Sequence, residues 1–186
     1  MDDEAVLEIG AGHSPDPRAT VTLDIRSDLG HIDYGGVDVA HDRWPFEDDR
    51  FDRVIARHVL EHVPPDRLGY LFEEADRVLT GGGTFEIVVP HAGSWDAKTD
   101  PTHHGTGGWT PDVEGYFTGD LEPYWPNLDW DVTARAHLSA PSFLRESVRL
   151  SFTTGKGGLS TELVKIPFVT GIVTIFARKR GSSSKD

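Results

Sequence analysis

A chain of 186 residues is long enough to bury one proper core, and the absence of cysteine excludes disulfides and thiolate metal sites. Its formal net charge is −13, with Asp outnumbering Glu 20 to 11 and Arg outnumbering Lys 13 to 5. Such a surface repels phosphate backbones and argues against nucleic acid as a partner. An Asp-rich, Lys-poor balance also suits a cytoplasm of very high salt, where screening removes most of that repulsion. No apolar stretch approaches the ~20 residues that span a bilayer, and the acidic start Met-Asp-Asp-Glu lacks the basic region of a signal peptide. These features predict a cytoplasmic protein with no membrane partner.

Residues 5–9 (Ala-Val-Leu-Glu-Ile) form an almost continuous apolar run, as a doubly buried parallel strand requires. A Gly-x-Gly turn follows at Gly10 and Gly12, then a second predicted strand over Thr20–Ile25 that contains Asp24. Glycine lets the backbone turn sharply and approach a ligand, and an acid at the tip of the next strand can accept hydrogen bonds from both hydroxyls of a ribose. The pattern suits a nucleoside-bearing cofactor. The third glycine of a pyrophosphate cradle is replaced by Pro15, which argues against a dinucleotide.

Val37–Ala40 and Phe51–Ala56 read as the third and fourth strands. Asp66 to Leu79 is the clearest helix, started by Pro64-Pro65 and marked by Leu68, Leu71, Phe72, Ala75, Val78 and Leu79 at helical spacing. Gly81-Gly82-Gly83 is the expected stop, and Thr84–Val89 the fifth strand. Residues 91–129, rich in Gly, Pro, Asp, His and Trp, lack periodicity, as a lid or binding loop would; Pro111–Phe117 suits a short helix within it. Trp130–Leu138 alternates as a strand, Ser142–Leu150 fits a helix, and Phe168–Ala177 is a β-branched strand. The basic and Ser-rich end frays into a tail, with one domain expected over 1–180 and the tail proper over 181–186.

Val-Leu-Glu-Ile-Gly-Ala-Gly at 6–12, Val-Asp-Val-Ala-His-Asp at 37–42, Trp-Pro-Phe-Glu-Asp-Asp-Arg-Phe-Asp-Arg-Val at 44–54, His-Val-Leu-Glu-His-Val at 58–63 and Arg-Val-Leu-Thr-Gly-Gly-Gly at 77–83 occur in this order. Together they resemble the class I S-adenosylmethionine-dependent methyltransferases, in the branch with a Leu-Glu-His-Val-type motif. The resemblance covers roughly residues 5–92. It implies an α/β, Rossmann-like, mainly parallel sheet with an antiparallel last strand, and S-adenosyl-L-methionine as cofactor. Two links, Gly12 to Asp24 and Ile25 to Val37, leave only 11 residues each between those positions. Parallel strands need a connection of about a dozen or more. Short connections should therefore replace helices on one flank, and the N-terminal helices usual in the family are not expected before the first strand. A thinly covered flank is a candidate surface for a homodimer.

The resemblance assigns Glu8 to the methionine end, Gly10, Ala11 and Gly12 to the floor of the site, Asp24 to the ribose diol and Ile25 to the adenine face. Asp42 would take the adenine amino group, with Arg43 or Trp44 beside the ring. Arg57 and His58 end the fourth strand, where such sheets bind ligands, and Leu60, Glu61 and His62 open the next helical stretch. Asp100-Pro101-Thr102-His103 resembles a loop found in relatives after the fifth strand, which makes His103 the candidate base for a small-molecule acceptor. His91, Asp96, Asp100, His103 and His104 supply ligand types for zinc, manganese or iron, but no His-x-x-x-His helix accompanies them, and no metal is assigned. A metal-dependent hydrolase and a non-catalytic cofactor-binding or partner-binding relative are the rival readings. The aromatics Trp95, Trp109, Tyr116, Phe117, Tyr124 and Trp125 are compatible with an apolar acceptor pocket.

Overall fold

The computed structural model describes residues 4–104, 109–118, 126, 128–139, 151–154 and 170–181. Among them lie β1 (Val6–Ile9), β2 (Val21–Asp24), β3 (Tyr34–Gly35), β4 (Phe51–Arg57), α1 (Leu68–Val78), β5 (Leu79–Pro90), α2 (Trp95–Thr99), α3 (Glu114–Thr118), β6 (Trp130–Ser139), β7 (Ser151–Thr154) and β8 (Thr170–Lys179). The strands join in one sheet in the order β3-β2-β1-β4-β5-β8-β6-β7. The first five are parallel, and β8, β6 and β7 continue the sheet antiparallel. This is the Rossmann-like arrangement expected, including the antiparallel last strand. No described helix is long and apolar enough to cross a membrane.

Register separates the two faces. Leu7, Val54, Phe85, Ala177 and Val132 form one cross-strand row, all buried. Helix α1 lies on this face and buries Leu68, Leu71, Phe72, Ala75 and Val78. Phe72 meets Phe85, Phe117 and Trp130 edge to face, at centroid separations of 6.4, 5.1 and 6.2 Å. Trp130 donates its indole N–H to Asp76 Oδ1 at 2.7 Å, tying β6 to α1.

The next row, Thr22, Glu8, Ile55, Glu86, Phe176 and Thr133, faces the other way. No helix occupies the links before β2 and β3, as their length requires. The loop over residues 10–20 covers part of this face with charge instead. Arg18 forks between Asp16 and Glu86, and Arg57 and Asp16 both bond Glu8. Arg18 holds the Asp16 carboxyl down to about 2, against burial acting in the opposite sense.

Four expectations need correction. The third strand is Tyr34–Gly35, not Val37–Ala40. In that segment the Asp38 carboxylate accepts from the Ala40 N–H and the Asp42 carboxylate from the Asp38 N–H, each at 2.9 Å; side chains have taken the amides a ladder would need. The glycine run does not cap α1. Leu79 turns extended at once, and Gly81–Gly83 lie inside β5, where Phe51 pairs with Leu79 but Arg53 with Thr84. Gly82 (φ 90°) makes this bulge, and a Cβ at Gly83 would come within 3.0–3.1 Å of Thr80 O and Asp52 O.

The last strand runs to Lys179 because its ammonium donates to the carbonyls of Asp76 and Leu79 at 2.8 Å, and Arg180 pairs with Asp129 and Asp131. These bases are structural, not part of a frayed end. Finally, the 91–129 segment holds a short helix that was not expected, α2, besides the helical Pro111–Thr118 that was. The expected helix 142–150, the start of the last strand at Phe168, Tyr124, Trp125 and the tail 182–186 lie outside the described residues.

Candidate functional site

Two cavities adjoin at the carboxyl ends of β1, β2, β4 and β5. One, of about 430 Å³, is lined by Gly10, Asp24, Ile25, Val39 and His41 among others. The second, of about 550 Å³, is lined by Glu61, Pro90, Asp100, His103 and Ile172 among others. His58 and His62 line both and form the wall between them.

In the first cavity the buried Asp24 accepts the Gly12 N–H on Oδ2 and the Arg26 N–H on Oδ1, both at 2.8 Å. One amide per oxygen leaves a lone pair on each for a further donor. The Gly10 N–H reaches back to the Leu23 carbonyl at 2.7 Å, closing the turn between β1 and β2. Ala11 is buried beneath it, and Ile25, 63% exposed, stands at the rim.

The other residues singled out from sequence are placed differently. Asp42 braces the Asp38 amide, and Asp38 lines the cavity. Arg43 lies at a separate surface cleft with Glu47 and Arg50. Trp44 is buried, giving its amide N–H to Glu74 and its indole N–H to the Val39 carbonyl. Glu8, 1% exposed, accepts the Asp16 N–H at 2.6 Å and Arg57 at 2.8–2.9 Å, while Arg57 also donates to the Ser14 carbonyl at 2.7 Å. Glu8 and Arg57 thus hold the loop after the glycine turn from the sheet side.

The second cavity begins with His58, which takes a left-handed backbone (φ 57°) at the end of β4. Histidine tolerates this better than bulkier residues, and the Val88 carbonyl pins its N–H at 2.8 Å. The bend sets His58 Nδ1 3.1 Å from Glu61 Oε1. Glu61 sits in a single 3₁₀ turn, Leu60–His62, and is 4% exposed; its other oxygen, Oε2, is buried with no hydrogen-bond partner. Edge to face with His62 stands His103, 4.8 Å between centroids.

Residues 99–104 close this side. The Asp100 carboxylate accepts the Thr102 hydroxyl at 2.6 Å and its N–H at 2.8 Å, which hold the carboxyl below the usual carboxylate range. The His104 N–H reaches the Glu61 carbonyl at 2.7 Å. His103 lines the same cavity. Glu61 gave little signal, since an acid inside Val-Leu-Glu-His-Val reads as the polar side of a helix.

A methyltransferase domain family matches residues 15–87. Among solved structures, a SAM-dependent methyltransferase from Archaeoglobus fulgidus superposes with a TM-score of 0.65 at 19% identity, covering 96% of this chain and 87% of the other. A protein described as a possible histamine N-methyltransferase from Thermotoga maritima gives 0.59 at 14%, with 97% and 84% covered. Phosphoethanolamine N-methyltransferase 1 of Haemonchus contortus, solved with phosphoethanolamine and S-adenosylhomocysteine, gives 0.52 at 12%, with 99% and 41% covered. No curated protein matches. The family match thus spans β2 and β4, two of the strands that build the first cavity, and the solved structures share the fold of the whole sheet.

Not every histidine serves the cavities. His91 is fully buried behind them, its Nδ1 accepting the Gly93 N–H at 3.0 Å, so the neutral ring carries its proton on Nε2, which has no hydrogen-bond partner. Burial, helped by Lys98, pushes its pKa below the ordinary imidazole value. The unfolded chain takes up that proton near pH 6.5 and the folded chain only at lower pH. The stability from neutral His91 is therefore complete above about pH 6.5 and is lost as pH falls through the lower, folded value. The thermal midpoint should decline from pH 7 to 5, and His91→Phe should flatten that decline. An equally steep decline in the variant would assign it to other groups.

Proposed function

We propose that this protein transfers the methyl group of S-adenosylmethionine to a small molecule held in the larger cavity. The observation that carries the reading is the pair of adjoining cavities with one histidine wall, the smaller built around a glycine turn and a strand-end carboxylate. The donor set fits the cofactor. Asp24 retains lone pairs for the ribose hydroxyls, Gly10, Ala11 and Gly12 form the floor, and Ile25 offers an apolar edge to the adenine. Asp42 acts through Asp38, which it braces at the adenine end. Glu8 and Arg57 fix the loop next to the methionine end, where the last carbonyls of β4, at Arg57 and His58, suit its ammonium.

When bound, the cofactor supplies an activated methyl carbon on a sulfonium. The protein then has to align the acceptor and exclude water. Residues 99–104 wall the acceptor side, and where the acceptor must lose a proton, His58 and His103 are the imidazoles placed to take it. The acidic surface argues against a nucleic-acid acceptor.

Asp24→Ala tests the reading. It should weaken S-adenosylmethionine binding by about 1–3 kcal/mol, the cost of leaving hydrogen-bonding partners unpaired, with NAD bound poorly by either form. Calorimetry showing unchanged affinity in a folded variant would remove the ribose assignment. Screening a metabolite pool for S-adenosylhomocysteine production identifies the acceptor; His103→Ala should slow that turnover and leave cofactor affinity nearly intact.

We infer that the charge balance adapts a cytoplasmic protein to high salt. With 31 acids against 18 bases, acids stay in surplus even if every base is paired. The thermal midpoint should therefore rise from dilute to molar potassium chloride as self-repulsion is screened. A flat or falling curve would discard this reading.

A further inference from the structure

We propose that Glu61, His62 and His103 bind a divalent transition-metal ion in the wall of the acceptor cavity. One ligand atom from each lies within 4.8 Å of the others. Two imidazoles and one carboxylate are the donor set of zinc, iron, manganese and related ions.

The independent mark of a missing partner is Glu61 Oε2. This carboxylate is 4% exposed and lines the cavity, yet one oxygen is buried with no hydrogen bond. A buried carboxylate oxygen costs free energy unless a cation or a donor meets it. His58 already engages Oε1 at 3.1 Å, so Oε2 is the atom left for the ion. His62 and His103 stand edge to face beside it rather than stacked, a disposition in which ring nitrogens of both can turn toward a common point.

Metal–nitrogen and metal–oxygen bonds of about 2.0–2.2 Å place tetrahedral ligand atoms roughly 3.3–3.5 Å apart. The present spacing closes by as much as about 1.5 Å, which χ rotation of the two imidazoles supplies. His62 has its other ring nitrogen, Nδ1, 3.1 Å from Thr102 Oγ1, the kind of contact that orients metal-binding histidines. Asp100 Oδ2, 3.7 Å from His103 Nε2, is a further carboxylate within reach. Three protein ligands leave a coordination position facing the cavity, where an oxygen of the acceptor would bind. The ion accounts for three residues that cofactor binding does not use, and makes His103 a ligand rather than a free base.

The test is direct metal binding to the full chain after chelator treatment. Cobalt(II) should bind one equivalent per chain with visible absorption of a low-coordinate site, and zinc should displace it. Altering an outer-shell partner typically costs 10–100-fold in metal affinity, so Glu61→Gln, His62→Gln and His103→Gln should each cost about 100-fold or more. His137→Gln, on the exposed face of β6, should cost nothing. Circular dichroism verifies that the near-isosteric Glu61→Gln stays folded.

Absence of saturable binding, or equal affinity in wild type and Glu61→Gln, overturns the proposal. Turnover lost in His103→Gln with no metal bound by wild type also overturns it, and assigns His103 as a free base. Calorimetric titration of the chelated protein with S-adenosylmethionine is read separately, so failure of the metal site is distinguishable from failure of the cofactor reading.

Discussion

Gly10→Ala is expected to destabilise the protein by about 2–5 kcal/mol and to reduce the proposed S-adenosylmethionine affinity at least tenfold. Two costs add. Gly10 has φ 61°, and a left-handed backbone costs an L-residue roughly 1–2 kcal/mol. A Cβ there would also fall well inside contact distance of Val59 Cγ2, and overpacking of this kind costs about 1–3 kcal/mol. Val59 cannot yield quietly, because it lines the cofactor cavity next to His58 and leads into the turn that carries Glu61. Relief of the clash therefore changes the cavity itself. For a chain of this length the thermal midpoint should fall by roughly 5–15 °C. Val59→Ala in the same chain should recover the steric part and leave the backbone part. A midpoint within 1 °C of wild type would show that the turn does not need glycine, and a double variant no better than the single would remove the steric part.

The same turn shows how much of the site was legible in the sequence. Gly10, Gly12 and Asp24 announce themselves because a close backbone approach restricts residue type and the acid sits at a fixed place after a strand. The core strands were legible for a related reason: burial on both faces or strict alternation leaves a periodic signal, as in Trp130, Val132, Ala134 and Ala136. Val37–Ala40 looked like a strand because Val alternates with Asp and Ala, but the carboxylates of Asp38 and Asp42 take the local amides. Residue type alone does not reveal which amide a side chain will reach. The glycine run misled in the opposite way, since three glycines after a helix suit a cap and a strand bulge equally. Glu61 was hidden for a third reason. Its significance lies in Oε2 having no partner, and that depends on residues 99–104 folding back from forty positions away.

Arg57→Met should be the second large effect, at about 2–3 kcal/mol of stability. Glu8 lies at the middle of the sheet, 1% exposed, and holds its charge against Arg57 and the Asp16 amide. Breaking a buried pair by removing one partner costs about 3–5 kcal/mol. The lower figure applies because a third of the Arg57 side chain is exposed, so water can reach the pair, and because the Asp16 amide remains. The variant also frees the Ser14 carbonyl, so the loop after the glycine turn should loosen and cofactor affinity should fall with stability.

Glu8→Gln added to Arg57→Met removes the stranded charge and should regain stability, giving a double-mutant coupling well above the ~0.5 kcal/mol of independent sites. Additive losses would mean the pair is not coupled. The cycle also decides what Glu8 is for. If it only braces the loop, the double variant should recover affinity in step with stability. If its carboxylate also receives the methionine end of the cofactor, stability should return while S-adenosylmethionine binding stays weak, because a neutral amide offers one acceptor and no charge where the ammonium needs both.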